Sequence, residues 1–87
     1  MKISKDLKIY GSNMNIAEKL ILLRKERGLT QEDVSKIFDI SLTAVRNYEN
    51  VSNIRIPKNE ILIKMAKFYD VDLEYLLDDN VINKKHN

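Results

Sequence analysis

The segment from Leu29 to Glu49 contains the same helix-start signal twice, and this repetition constrains the fold more than any other feature of the chain. Thr30 and Ser41 can each cap a helix with the side-chain hydroxyl. Leu29 and Ile40, which precede the caps, can each pack against an apolar residue four positions after the cap. The few residues between the two runs leave room only for a sharp corner. Two helices that meet at such a corner form a helix-turn-helix.

The second of these helices, from about residue 42 to 49 or 50, is predicted to carry a polar outer face. Its inward-facing residues are Val45, Tyr48 and Glu49. The residues left on the outer face are small, polar or basic: Thr43, Arg46, Asn47 and Asn50. A face of this kind suits the reading of base edges.

The rest of the chain predicts three more helices and no competing strand. The first begins at Asn15, which precedes Glu18 at the spacing of a capping box, and stops at Gly28. The others cover about 58–69 and 73–77, and the first helix of the motif covers about 31–38. The buried stripe of that motif helix is expected to be Val34, Ile37 and Phe38. We therefore predict an all-α domain in which five helices surround one core.

The 87 residues correspond to one small domain with short ends. We predict a flexible or loosely docked arm over 1–14, the helical domain over 15–78 and a polar tail over 79–87. Residues 1–69 carry 13 Lys and Arg against 8 Asp and Glu, whereas residues 70–87 carry 2 against 5. A basic body is compatible with a phosphate backbone as partner, and equally with a solvated surface whose asymmetry is accidental.

Several classes of protein are disfavoured by what the sequence lacks. It has no cysteine, so a disulfide framework and a thiolate metal site are impossible. Its apolar runs are short and interrupted by charge, so we expect no membrane span, no secretory signal and a cytoplasmic location. The single histidine, His86, has no ligand partners at metal spacing, and Asp78 with Asp79 indicates an exposed acidic helix end. We therefore expect no enzyme, no cofactor and no metal.

Separated blocks of the sequence match one family in the right order. They are Arg24–Val34, Ile40–Ser41, Val45, Tyr48–Glu49, Pro57, Leu62–Ala66 and Val71–Leu77. With these blocks the chain resembles the phage-repressor and Cro-like (XRE-type) helix-turn-helix proteins over about residues 15–78. The resemblance implies a compact five-helix lambda-repressor-like DNA-binding domain with the helix-turn-helix at helices 2 and 3. It also implies sequence-specific binding to double-stranded DNA, with the second helix of the motif in the major groove.

The resemblance assigns base contacts to the first exposed turn of the second motif helix. The residues concerned are Leu42, Thr43 and Asn47. Asparagine can form a bidentate contact with adenine, and a threonine methyl group can pack on the methyl group of thymine. Leu42 is open to two interpretations, a contact to a thymine methyl group or the edge of the core.

Other residues are expected to contact the DNA backbone or to support the motif. The backbone candidates are Gln31, Ala44, Arg46, Asn50, Arg55 and Lys58. Gln31 opens its helix, where unsatisfied N–H groups attract phosphate. Arg24 and Glu49 are the expected structural ion pair, because family members often pair an arginine of helix 1 with a glutamate at the end of the recognition helix.

The sequence departs from the family pattern at three positions. Asp39 stands where the turn usually has glycine, and aspartate tolerates left-handed backbone better than most residues. Ser35 stands where a small apolar residue is usual, and it fits if its hydroxyl donates to a carbonyl of its own helix. Val51 replaces the usual glycine and precedes a long loop over 51–57.

The sequence as a whole predicts a small transcriptional repressor that occludes a promoter. One recognition helix reads few base pairs, so we expect a homodimer on a near-palindromic operator. The expected dimer surface is the C-terminal apolar set Tyr75, Leu76, Val81 and Ile82, which could instead close the monomer's own core. The alternative function is an antitoxin or another protein-interaction module, whose partner would be a toxin or an anti-repressor.

Overall fold

The structure is a computed structural model of the chain and describes residues 14–78. Its helices are α1 (Ile16–Glu26), α2 (Gln31–Phe38), α3 (Leu42–Tyr48), α4 (Asn59–Tyr69) and α5 (Leu73–Leu77). Between residues 14 and 78 the chain has no strand, and the predicted five-helix all-α fold is confirmed. The bounds of α2 and α5 are those predicted, whereas α3 ends slightly earlier and α4 begins one residue later than expected. Residues 1–13 and 79–87, which hold most of the predicted arm and the whole predicted tail, lie outside the described part.

Side-chain caps start the first three helices where the sequence placed them. Asn15 accepts a hydrogen bond from the Glu18 N–H, and the Glu18 carboxylate accepts one from the Asn15 N–H, both at 2.9 Å. Thr30 and Asp33 form the same reciprocal box at 3.0 and 2.9 Å. Ser41 caps α3 by accepting from an N–H three residues later, at 3.0 Å. Each cap satisfies N–H groups that the helix itself leaves without a partner and contributes about 1 kcal/mol.

Left-handed residues end three of the helices and make the chain turn sharply. Gly28 has a φ of 70°, and Asp39 and Asp70 both have a φ of 55°. The corner between α2 and α3 is closed by a hydrogen bond from the Ile40 N–H to the Ser35 carbonyl, 2.9 Å long. The Ser35 hydroxyl donates to the Glu32 carbonyl at 2.8 Å, as expected for a serine at this position. The left-handed conformation predicted for Asp39 is therefore confirmed.

The helices pack around one apolar core. α2 contacts α3 and α4, α1 contacts α3 and α5, and α4 contacts α5. The buried side chains are Ile16, Leu20, Leu23, Val34, Phe38, Val45, Leu62, Met65, Ala66, Tyr69, Val71, Tyr75 and Leu76. Phe38, Phe68 and Tyr69 form an aromatic cluster, with the Phe38 and Phe68 rings 5.4 Å apart edge to face. Burial of a large apolar side chain contributes about 1.5–3 kcal/mol, so this set is the main source of stability.

Two predictions about apolar residues are wrong. Ile37 was expected in the buried stripe of α2, but 43% of its surface is exposed, because the core contacts of this short helix are made by Val34 and Phe38. Tyr75 and Leu76 were expected to be available for dimerisation, but they are 1% and 0% exposed. They close the monomer's own core, which was the second interpretation of this segment. Val81 and Ile82, the other members of that set, lie outside the described residues.

Lys19 is buried, which was not predicted from the sequence. Its side chain is 1% exposed, and the ammonium group donates to the main-chain carbonyls of Tyr75 and Asp78 at 2.5 and 2.6 Å. The same nitrogen lies 4.7 Å from the centre of the Tyr75 ring. Lys19 therefore fastens the C-terminal end of α5 to α1 through groups that a helix end leaves unsatisfied.

None of the helices in residues 14–78 combines the length and the apolar character that a membrane crossing requires.

Candidate nucleic-acid interface

α3 is anchored by one side and exposed on the other. Val45 is 2% exposed and inserts into the core, while Thr43 and Arg46 on other faces of the helix are exposed. Leu42 and Asn47 are half-buried. Ala44, a candidate backbone contact, is also half-buried. The predicted base-contact residues thus lie on one short helix whose inner face is fixed by the core.

The predicted ion pair between Arg24 and Glu49 is present in the structure. The Arg24 Nε donates to Glu49 Oε2 at 2.9 Å, and its Nη2 donates to Oε1 at 3.0 Å. The side chains are 12% and 5% exposed, so this bidentate pair is largely removed from water. Arg24 Nη1 also donates to the Leu29 carbonyl at 2.9 Å. Arg24 of α1 therefore binds both Glu49, which follows α3, and Leu29, which precedes the Thr30 cap of α2.

Gln31 joins this ion pair, which sequence reasoning did not predict. Its Nε2 donates to Glu49 Oε1 at 3.1 Å. Glu49 thus receives donors from α1 and α2 and stands directly after α3. These three side chains, Arg24, Gln31 and Glu49, are called here the Glu49 network. The position of Gln31 at the start of α2 was the available signal, since it brings the amide close to the end of the next helix.

The N-terminus of α2 carries negative charge as well as N–H groups. Glu32 and Asp33 are both exposed in its first turn. The hydrogen bond from the Thr30 N–H to the Asp33 carboxylate and, less strongly, the Thr30 side chain hold the pKa of that carboxyl group below its usual value. These carboxylates oppose an approaching phosphate, so Gln31 would have to act by its amide and not through a strongly positive helix end.

The remaining backbone candidates lie in and beside the loop that follows α3. Asn50, Arg55 and Lys58 are all exposed. The Asn50 Oδ1 accepts from the N–H groups of Ser52 and Asn53 at 3.0 and 3.1 Å. Asn50 therefore has a structural role in shaping the loop, beside the role predicted from its position.

Tyr69 and Tyr75 are buried in the core. Burial raises the pKa of Tyr69 to about 12, and the nearby Glu49 carboxylate adds to the effect while Arg24 and Arg27 reduce it. Burial and, less strongly, Glu26 raise the pKa of Tyr75. Both hydroxyls therefore stay neutral at physiological pH.

Within residues 14–78 no group of three or more histidine or acidic side chains is arranged to hold a metal ion.

The corner between α2 and α3, with a polar helix fixed against the core by its inner face, defines a helix-turn-helix protein. A family model described as helix-turn-helix matches residues 20–76, which is more than half of the chain. The chain therefore belongs to this helix-turn-helix family, and the resemblance to XRE-type proteins is confirmed.

A curated relative was found in Bacillus subtilis (strain 168). It is described as the HTH-type transcriptional regulator ImmR and is 29% identical over 73 residues, which cover 84% of this chain and 56% of the relative. The chain thus spans little more than half the length of the curated relative it matches. The comparison with solved structures gave no match.

Proposed function

We propose that this protein is a sequence-specific DNA-binding transcriptional regulator that places α3 in the major groove. The observation that carries the proposal is the presentation of α3: Val45 is buried, the Glu49 network fixes the end of the helix, and Thr43 and Arg46 are exposed. The family match supports DNA binding, and the name of the Bacillus relative supports a role in transcription.

The dimensions of α3 suit this role. An α-helix with its side chains is about 10–12 Å across, and the major groove is about 12 Å wide, so α3 can enter it. Asn47 would contact an adenine edge, and Thr43 with Leu42 would contact thymine methyl groups. These residues supply specificity in the proposal, because only contacts to base edges distinguish one sequence from another.

Phosphate contacts would position the helix. Arg46, Arg55 and Lys58 supply exposed positive charge on α3 and beside the following loop. Gln31, Ala44 and Asn50 are the remaining backbone candidates. Such contacts carry no sequence information, but they fix the register of the protein on the duplex.

Repression by occlusion is the regulatory mechanism we propose. A domain of this size covers one half-site, and a homodimer on a near-palindromic operator would cover enough of a promoter to exclude RNA polymerase. The proposal needs no cofactor, because regulation then depends on the concentration of the protein or on a protein partner.

Selection of bound sites from random duplex DNA tests the proposal directly. We expect a near-palindromic consensus, bound at least ~10³-fold more tightly than random sequence. Affinity should fall steeply with salt, because each phosphate that the protein neutralises releases a counterion. Weak binding with no consensus and no salt slope would favour the alternative, a protein-interaction module such as an antitoxin.

Substitution of Asn47 then tests the base-reading role. Asn47→Ala should relax preference at one base position and cost about 1–3 kcal/mol there. Asn59→Ala is the matched control, because Asn59 is an exposed asparagine of α4 outside the proposed contact set. A uniform loss of affinity on every sequence would show that Asn47 does not read a base.

A further inference from the structure

An open groove lies on the body of the protein beside α5, and most of its wall is apolar. It has a volume of about 860 Å³ and lies between the loop after α3, the start of α1 and α5. Ile54, Ile56 and Leu77 line it, with 40%, 53% and 46% of their surfaces exposed. We call it the side groove. Aliphatic side chains concentrated at one concave place mark a docking surface more often than scattered exposed residues do.

The N-terminal segment of the chain has the composition that this groove requires. Ile3, Leu7 and Ile9 have odd numbers, so an extended chain would place all three on one face. Lysines accompany them at positions 2, 5 and 8, against one aspartate at position 6. Glu74 is exposed and places a carboxylate at the α5 side of the groove. The charges of the segment and of the groove are therefore complementary.

The point at which this segment joins the body also favours it as the occupant. Asn15 and Ile16 line the side groove, so the chain over residues 1–13 enters the body at the edge of the groove. Gly11, Ser12 and Asn13 are residues that favour turns and allow the chain to reverse its direction. A short connection of this kind gives an effective concentration in the millimolar range, which a separate partner seldom reaches.

We propose that residues 3–10 dock in the side groove of their own chain, with Leu7 and Ile9 against Ile54 and Ile56. The C-terminal segment suits the groove less well. Val81 and Ile82 are its only aliphatic residues after Asp78, and two lysines against Asp79 give residues 79–87 one net positive charge, compared with two for residues 1–13. The docked segment would cover exposed aliphatic surface that would otherwise promote association with other molecules.

The absence of cysteine from the chain makes a spin-label experiment direct. A nitroxide attached through Ser4→Cys should remove most of the NMR signal of the amides of Ile54, Ile56 and Leu77, compared with the reduced label. If the segment docks in the groove of its own chain, this signal loss should not change when protein carrying both the nitroxide and the isotope label is diluted into protein that carries neither. Adding Leu7→Asp and Ile9→Asp should abolish the loss, whereas adding Ser12→Asp, a matched charge outside the apolar face, should leave it.

Three results would overturn the proposal. One is an unchanged signal at the groove amides. Another is a loss seen only when a spin-labelled chain is mixed with an isotope-labelled chain that carries no nitroxide, because a second copy would then be the occupant. The third is a loss produced by a label at Asn83→Cys and not at Ser4→Cys, which would assign the groove to the C-terminal segment. The sample contains no DNA, so the outcome is independent of the proposed function.

Discussion

Breaking the Glu49 network should strongly destabilise the protein. Arg24→Met removes two donors from the Glu49 carboxylate and one from the Leu29 carbonyl. Glu49 is then a nearly buried charge whose remaining side-chain donor in the network is Gln31. Loss of one partner of a buried pair costs about 3–5 kcal/mol. Because Arg24 is 12% exposed and water can reach part of the site, we expect the lower end, about 3 kcal/mol.

A double-mutant cycle separates the pair from its surroundings. Glu49→Leu alone leaves the guanidinium without its carboxylate and should cost about 2–3 kcal/mol. Arg24→Met with Glu49→Leu replaces two charges by apolar groups of similar length, so it should cost less than the two single changes added together. The expected coupling between the two sites is about 2–3 kcal/mol, within the range found for residues in direct contact.

Urea denaturation followed by circular dichroism measures these differences. Domains of this size have total stabilities of roughly 5 kcal/mol, so Arg24→Met should lower the midpoint by about 2–3 M at an unchanged slope of roughly 1 kcal/mol per M. Lys25→Met is the matched control, because Lys25 is the exposed cation next in the same helix, and it should stay within about 0.5 kcal/mol of the parent. A cost below about 1 kcal/mol for Arg24→Met, or strict additivity in the cycle, would refute the reasoning.

Three further predictions concern other residues of the body. Lys19→Met removes a buried donor from the main-chain carbonyls of Tyr75 and Asp78 and should lower the free energy of unfolding by about 2 kcal/mol, against no change for the Lys25→Met control. The fold raises the pKa of Tyr69 to about 12, whereas an unfolded tyrosine has a pKa near 10. The contribution of neutral Tyr69 to the free energy of unfolding should therefore be complete below pH 10 and be lost as the pH rises to 12. Urea titrations across this range should show a shallower fall for Tyr69→Phe, and an identical fall would contradict the prediction. Asp39→Ala should cost about 1 kcal/mol in thermal denaturation because alanine is strained at φ 55°, whereas Asp39→Gly should not destabilise.

The local signals in the sequence were sufficient to predict the helices. Asn15, Thr30 and Ser41 cap the helices they were expected to cap, and Gly28 and Asp39 adopt the left-handed backbone expected of them. These devices act over three to five residues, so the sequence alone determines them. The Arg24–Glu49 pair came from a family pattern and not from any local signal.

Contacts between distant parts of the chain could not be predicted in the same way. The burial of Lys19 was not predicted, because its carbonyl partners lie 56 and 59 positions further along the chain. Ile37 follows the spacing of a buried stripe, yet a short helix has too little contact with its neighbours to cover every apolar residue. Tyr75 and Leu76 were ambiguous, because an apolar residue near a chain end can serve a dimer or the core. The packing of α5 against α1 and α4 decides between the dimer surface and the core, and it buries both residues in the core.

The Glu49 network explains how a helix as short as α3 can hold a fixed position. A helix of seven residues is far below the length that is stable alone in water, and Val45 is the single residue of α3 that is fully buried. The Ser41 cap fixes the beginning of α3. Glu49, the residue after its end, is held by Arg24 of α1 and Gln31 of α2. The orientation of α3 is therefore set by polar contacts at both ends as much as by apolar packing. If α3 binds DNA as proposed, changes at Arg24, which is not among the proposed base contacts, should weaken DNA recognition at temperatures where the protein is still folded.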